Sequence, residues 1–242
     1  MLGSINSGST FQWAIAGKHP AAADYIRLGA QSAVLDAVAD WMAKGYDALQ
    51  RGGHRLQSGC SWRFWLRGAK KQALICGLCR DSSDRIGRPF PFLVMGEGTL
   101  KGLEKTWALL PLQLDKIWRT MEYIAVHRFD DLQAMAAELN GLKIVAADAP
   151  LTGIDQSAGA VADRLMDQCR DGLQTCGWGL ISLADIPAQD PAMTAAFCHA
   201  RLKACSGDMP RAVFLGGPVQ HPYMLVLQQP LNTADFVRLW TI

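Results

Sequence analysis

"WRFWLRGAKKQALICGLCRDSSDRIGRPFPFLVM" runs from Trp62 to Met95 and contains three apolar runs in close succession. In "WRFWLR" a two-residue period puts Trp62, Phe64 and Leu66 on one face, as a strand requires. "KQALICGLC" follows after the short segment "GAK", and "PFPFLVM" follows after a charged loop. A parallel crossover needs roughly a dozen or more residues, so these short connections predict antiparallel neighbours. The reading is a meander at the centre of a mostly antiparallel sheet.

Helical patterns surround it. From Ala33 to Leu49 the residues Val34, Leu35, Val38, Met42, Tyr46 and Leu49 recur at spacings of three and four, one face of an amphipathic helix. "RGGH" supplies glycines for a left-handed stop. Leu114, Ile117, Trp118, Met121, Ile124 and Ala125 form a second stripe. Phe129, Leu132, Met135 and Leu139 form a third, with Asp130 or Asp131 placed to cap it. Ala158 to Cys169 carries a fourth, entered after Asp155. "DPAMTAAFCHARL" begins with Asp190 and Pro191, the order of N-cap and first helical residue, and "NTADFVRLW" predicts a closing helix. "FQWAIAG", "GWGLISL", "AVFLGG" and "YMLVLQ" read as further strands, the last two paired. The expected fold is α/β (α+β), with a central mostly antiparallel sheet flanked by helices. A polar leader covers residues 1–10, and a single domain covers 11–242 with one weak seam at 146–153.

The composition is that of a globular protein: 242 residues, half hydrophobic and 19% charged. A net charge of +2 with scattered basic residues argues against nucleic acid and anionic lipid as partners. No stretch approaches the roughly 18 apolar residues of a membrane span, so no membrane insertion is expected. Seven irregularly spaced cysteines suit reduced thiols in a cytoplasm better than a disulfide framework.

Catalytic motifs are scarce. The C-x-x-C of Cys76 and Cys79 sits late in a predicted strand, where residues three apart face opposite ways, rather than at a helix start. Buried apolar cysteines are the better reading, and a thiol redox sensor the alternative. No two of the five histidines lie four residues apart. No nucleophile elbow, Walker loop or metal-ligand pattern occurs, and no cofactor is expected.

"CRDSSDRIGRPFPF", Cys79 to Phe92, concentrates charge and backbone constraint. Gly87 can take a positive φ, while Pro89 and Pro91 push Arg88 and Phe90 toward extended conformations. Ser82 and Asp84 are turn residues able to bond nearby backbone. Arg85 and Arg88 offer planar donors, either to an anionic ligand or to the loop's own aspartates. Asp24 or Asp84 is expected to pair with Arg88; for a buried pair, Arg88→Ala would cost about 3–5 kcal/mol.

"SSDRIGRPFP" resembles the S-x-D-x-x-G-R-x-F-P signature of the TagF family, also called ImpM, through Ser82, Asp84, Gly87, Arg88, Phe90 and Pro91. Pro89 stands where the family commonly has an aromatic. "GKHPAAADYI" is similar to the family's N-terminal segment at Gly17, Lys18, Pro20, Asp24 and Tyr25, with alanines in place of the usual small–Arg–Gly run. "ADWMAKGY" resembles the D-x-W-L helix, with Asp40 displaced by one position, and Trp62, Arg63 and Phe64 resemble the W-R-F strand. The resemblance implies a central sheet flanked by helices and a stand-alone, non-catalytic accessory protein of bacterial type VI secretion. Such a protein would restrain the machine after translation by binding a component such as its forkhead-associated scaffold protein. A hydrolase or phosphatase-like enzyme using the 82–91 loop is the competing reading.

Overall fold

The computed structural model describes residues 11–144, 156–186 and 190–242, with side chains from 161 onward in the second stretch. The chain opens with two strands, β1 (Gln12–Gly17) and β2 (Ile26–Gly29), and a long helix, α1 (Ala33–Arg51). The meander follows as β3 (Cys60–Arg67), β4 (Ala73–Arg80) and β5 (Phe92–Thr99). Four helices come next: α2 (Leu103–Thr106), α3 (Leu110–Val126), α4 (Leu132–Asn140) and α5 (Gln156–Cys176), with a 3₁₀ turn at Trp107–Leu109. The chain closes with β6 (Trp178–Ser182), α6 (Pro191–Ser206), β7 (Ala212–Pro218), β8 (Tyr223–Leu227) and α7 (Thr233–Thr241).

The eight strands form one sheet in the order β2-β1-β5-β4-β3-β7-β8-β6, and the pairings are antiparallel throughout. Within the meander Trp62 faces Cys79 and Cys79 faces Leu93. Beyond it, β3 pairs with β7, so Phe64 lies opposite Phe214. The sheet is therefore continuous from the first strand to the last.

Both faces of the sheet are buried. On one face α3, α4, α5 and α6 cover Trp65, Cys76, Leu78, Phe92, Val94 and Val213. On the other, α1 and α7 cover Trp62, Phe64, Cys79, Leu93, Met95 and Phe214. Cys76 and Cys79 thus belong to opposite cores, as the strand period requires. α7 is fastened by Trp62 Nε1–H, which donates to the Leu239 carbonyl at 3.0 Å, and by Trp41 Nε1–H, which donates to Asn232 at 2.8 Å. Phe236 stacks on Trp240 at 4.4 Å and fits against Gly45 of α1, where a Cβ would stand 2.3 Å from it.

Short polar residues set the helix starts. Ser32 accepts from Leu35 N–H, Asp131 from Ala134 N–H, and Asp190 from Ala192 and Met193 N–H. Asn232 and Asp235 form a reciprocal capping box on α7. The stop after α1 comes at Gly53, with φ +76°, while Gly52 keeps a negative φ.

Three elements escape the sequence reading: β2, α2 and the 3₁₀ turn. β2 buries only Ile26 among its four residues, and α2 is a single turn, so neither leaves a periodic signal. The 1–10 leader, the 146–153 seam, Asp155 and the side chain of Ala158 lie outside the described residues. No helix among the described residues is long and apolar enough to cross a membrane.

His199, fully buried on α6, accepts from Trp65 Nε1–H at 3.0 Å through Nε2. Its ring proton therefore sits on Nδ1 and is donated to the Ala195 carbonyl at 2.7 Å. Burial pulls its pKa down from 6.5 to about 4. Between those values the unfolded chain binds a proton that the folded chain refuses, so stability falls as pH drops from 6.5 toward 4. The loss from this one residue is about 3 kcal/mol. Chemical denaturation of His199→Gln across that interval is expected to show a shallower pH dependence than wild type; identical slopes would refute the assignment.

Phe236→Ala is expected to cost about 3–5 kcal/mol, through the lost apolar contact and the cavity left at Gly45. A urea midpoint equal to that of wild type would count against α7 as a core element.

Candidate functional site

β1 ends at Gly17, which has φ +119°; a Cβ there would lie 2.1 Å from the Pro91 carbonyl oxygen. Only glycine lets the two segments approach this closely. The following N–H, of Lys18, points to the same carbonyl at 3.4 Å. The first motif segment is thereby laid against the end of the 82–91 loop.

The loop closes on itself through the main chain. Phe90 N–H donates to Ser82 O at 3.0 Å, and Gly87 N–H donates to Asp84 O at 2.9 Å, with Gly87 at φ +83°. Pro89 bridges to Ser83, and its carbonyl accepts from Tyr46 Oη of α1 at 2.9 Å. Phe90 lies edge-on to Tyr46 and Tyr25 at 4.8 and 5.5 Å.

Asp84 is the centre of this arrangement, with a side chain fully removed from solvent. One oxygen accepts the backbone N–H groups of Ile86 at 3.2 Å and Arg88 at 2.9 Å. The other accepts Arg88 Nε at 2.6 Å and Lys18 Nζ at 3.0 Å. Four donors fill the acceptor capacity of a carboxylate. Burial alone would raise its pKa, but the Arg88 N–H, the Lys18 ammonium and the Arg88 guanidinium together hold it well below the ordinary carboxylate range.

The alanine-rich segment is held by its carbonyls. Arg85 donates to Ala22 O through its backbone at 2.8 Å and to Ala21 O through Nη2 at 2.9 Å. Arg88 Nη2 donates to Ala23 O at 2.6 Å. Docking therefore needs no particular side chains at these positions. Arg88 does pair with Asp84, as expected, while Asp24 stands farther off at 3.7 Å. The expected cost of 3–5 kcal/mol for Arg88→Ala needs revision. Arg88 is 49% exposed, and without it Asp84 keeps Lys18 and the backbone donors of Ile86 and residue 88.

The structure brings together Gly17, Lys18, Pro20, Asp24, Ser82, Asp84, Gly87, Arg88, Phe90 and Pro91, but not the W-R-F strand. Trp62 and Phe64 are core residues beneath α1 and α7. Arg63 points to the other face, where it grips Glu122 at 2.8 Å and Asp115 at 3.1 Å on α3.

A cleft of about 720 Å³ opens beside the loop. Pro20 and Ala21 form one wall, residues 80–83 and Arg85 a second, and residues 125–129 a third. The third wall, with His127 and Arg128 just after α3, was not singled out in the sequence, because only tertiary packing brings it here. His19 sits beside the cleft, its ring tilted against Phe92 at 5.0 Å and Phe129 at 6.0 Å. Burial, then the charges of Arg80 and His127, lower its pKa to about 4, so it is neutral at pH 7.

The thiols offer little redox chemistry. Burial pushes Cys76 and Cys79 well above the ordinary thiol range, and both are free. Among the described residues no cluster of three or more metal-ligating side chains forms.

Comparison with known proteins places these features in context. The model of the TagF N-terminal domain, described as type VI secretion system-associated, matches residues 14–143. In fold the chain is similar to the crystal structure of PA0076 from Pseudomonas aeruginosa PAO1. The TM-score is 0.55 at 20% sequence identity, covering 95% of this chain and 94% of that one. No curated protein matches it in sequence.

Asp84→Ala is expected to lower the melting temperature more than Arg88→Ala, because it strands Lys18 and unlocks two backbone donors at once; the reverse order would contradict the hub. Asp84 contributes stability that is present above its ordinary pKa of 3.8 and lost as pH falls below it. Asp84→Asn should flatten the acid limb below about pH 4. In the folded protein, only the exposed Cys176 and Cys205 should react rapidly with a thiol reagent. Rapid labelling of Cys76 or Cys79 would restore the redox reading.

Proposed function

The chain belongs to the TagF family of type VI secretion-associated proteins, and we propose that it is a non-catalytic accessory protein that restrains secretion after translation by binding a component of the machine, the forkhead-associated scaffold first among them. The observation that carries this reading is where the exposed apolar side chains fall. Among the described residues, six large hydrophobic side chains are exposed. Ile86, at 70%, tips the 82–91 loop; Tyr25 packs on Phe90; Val126 lines the cleft; and Tyr123 stacks on His127. The remaining two, Val34 and Val219, belong to α1 and the β7–β8 turn. One apolar group on a braced loop, with others on the neighbouring segments and charges between them, has the composition of a protein-binding patch.

The chemistry of Asp84 favours binding over catalysis at this loop. A carboxylate whose oxygens are filled by internal donors and whose pKa is held down is a poor general acid and a poor base at neutral pH. The seven thiols suit a reducing cytoplasm, where this reading has the protein act.

Calorimetry with the scaffold protein of the same secretion cluster tests the reading. Wild type is expected to bind. Ile86→Asp, which alters an exposed side chain without touching the Asp84 bonds, should weaken binding tenfold or more at an unchanged melting temperature. Absence of binding by well-folded wild type would sink the scaffold as partner, and an unaffected Ile86→Asp would move the contact off this loop.

A further inference from the structure

The cleft beside the loop holds an excess of positive charge that its own carboxylate does not balance. Arg80, Arg85 and Arg128 place three guanidinium groups on its walls, against Asp81 as the one lining carboxylate among the described residues. Asp81 is already engaged: it accepts Gly59 N–H at 3.0 Å and lies 3.4 Å from Arg80. Arg85 commits one Nη2–H to the Ala21 carbonyl, and neither Arg85 nor Arg128 has a carboxylate within 4.0 Å among the described residues. Ser82 and Ser83 line the same space, and neither hydroxyl makes a hydrogen bond among the described residues.

His19 packs behind this wall and does not itself line the cleft. Its Nδ1 accepts Ala21 N–H at 3.1 Å, so in the neutral ring the proton is on Nε2. That Nε2–H is buried without a partner, on a side chain 1% exposed whose ring packs on the cleft residue Phe129.

We propose that this cleft binds the phosphoryl group of a phosphorylated ligand. A carboxylate offers two oxygens and one charge, which a single guanidinium fork can satisfy. Two guanidinium groups without a carboxylate, Arg85 and Arg128, beside the paired Arg80 and two serines, suit an acceptor with more oxygens and more charge, and a phosphoryl dianion has both. The volume of about 720 Å³ is that of a site for a small organic molecule rather than a bare ion, so the carrier of the phosphoryl group enters with it. Val126 and Phe129 give that carrier an apolar wall. The carrier is either a phosphorylated side chain of a partner or a free phosphorylated metabolite.

The test is calorimetry on the whole chain at low ionic strength, with no secretion component present, so its outcome is separate from scaffold binding. The probes are AMP against adenosine, and a phosphoserine peptide against the same peptide unphosphorylated. At least one phosphorylated probe is expected to bind tenfold or more tightly than its unphosphorylated counterpart. Preference for the peptide assigns the ligand to a partner segment, and preference for AMP assigns it to a metabolite. Arg128→Gln should weaken that binding tenfold or more, whereas Arg170→Gln on α5 should leave it unchanged. Arg128 is exposed and unpaired with carboxylate among the described residues, so its replacement leaves the fold intact. Equal binding of phosphorylated and plain probes, no binding at all, or an equal loss from Arg170→Gln would overturn the proposal.

Discussion

A sheet covered on both faces requires apolar side chains at consecutive positions along its inner strands. β4 and β5 meet that demand with long buried runs, and β3 meets it with Trp62 and Phe64 on one side and Trp65 on the other. In parallel sheets such double burial comes from crossover helices. Here the sheet is antiparallel, and the two helical layers come from distant parts of the chain: α1 and α7 on one face, α3 to α6 on the other. The closing helix therefore covers the same face as the first, and the indole N–H groups of Trp41 and Trp62 hold it there.

The 82–91 loop extends from this frame at the β4–β5 connection. Its rigidity comes from one carboxylate and a set of carbonyls rather than from apolar packing. Asp84 draws in Lys18 from the end of β1, and the two arginines reach the carbonyls of residues 21–23. Because carbonyls do the accepting, alanines suffice in this segment for the docking. A loop tied in this way can present Ile86 to solvent without collapsing onto it.

Most of the fold was legible because periodicity survives in the chain. Short connections identified the meander, stripes at three- and four-residue spacing identified α1, α3, α4 and α5, and the Asp190–Pro191 pair identified the start of α6. Four-residue elements such as β2 and α2 were not legible, since one buried side chain makes no period. At the site, Gly87, Asp84 and Arg88 could be read as an internally paired turn, and Gly17 with Lys18 as a motif. Their meeting through Pro91 could not be read, nor could the arrival of His127 and Arg128 at the cleft. Those depend on where α3 ends relative to β1, which is a property of packing. The position of Arg63 shows the same limit: adjacent motif letters Trp62, Arg63 and Phe64 serve opposite faces of the sheet.

The pairing of β3 with β7 joins the segment matched by the family model to residues well beyond it. Ending the chain near residue 143 would convert β3 from an inner strand into an open edge with unpaired backbone groups. It would also remove α7 and uncover Trp62, Phe64 and Leu93. An exposed, apolar edge of that kind is a template for intermolecular strand pairing. The matched segment is thus not a unit of folding on its own, and its boundaries do not mark where the polypeptide can be cut.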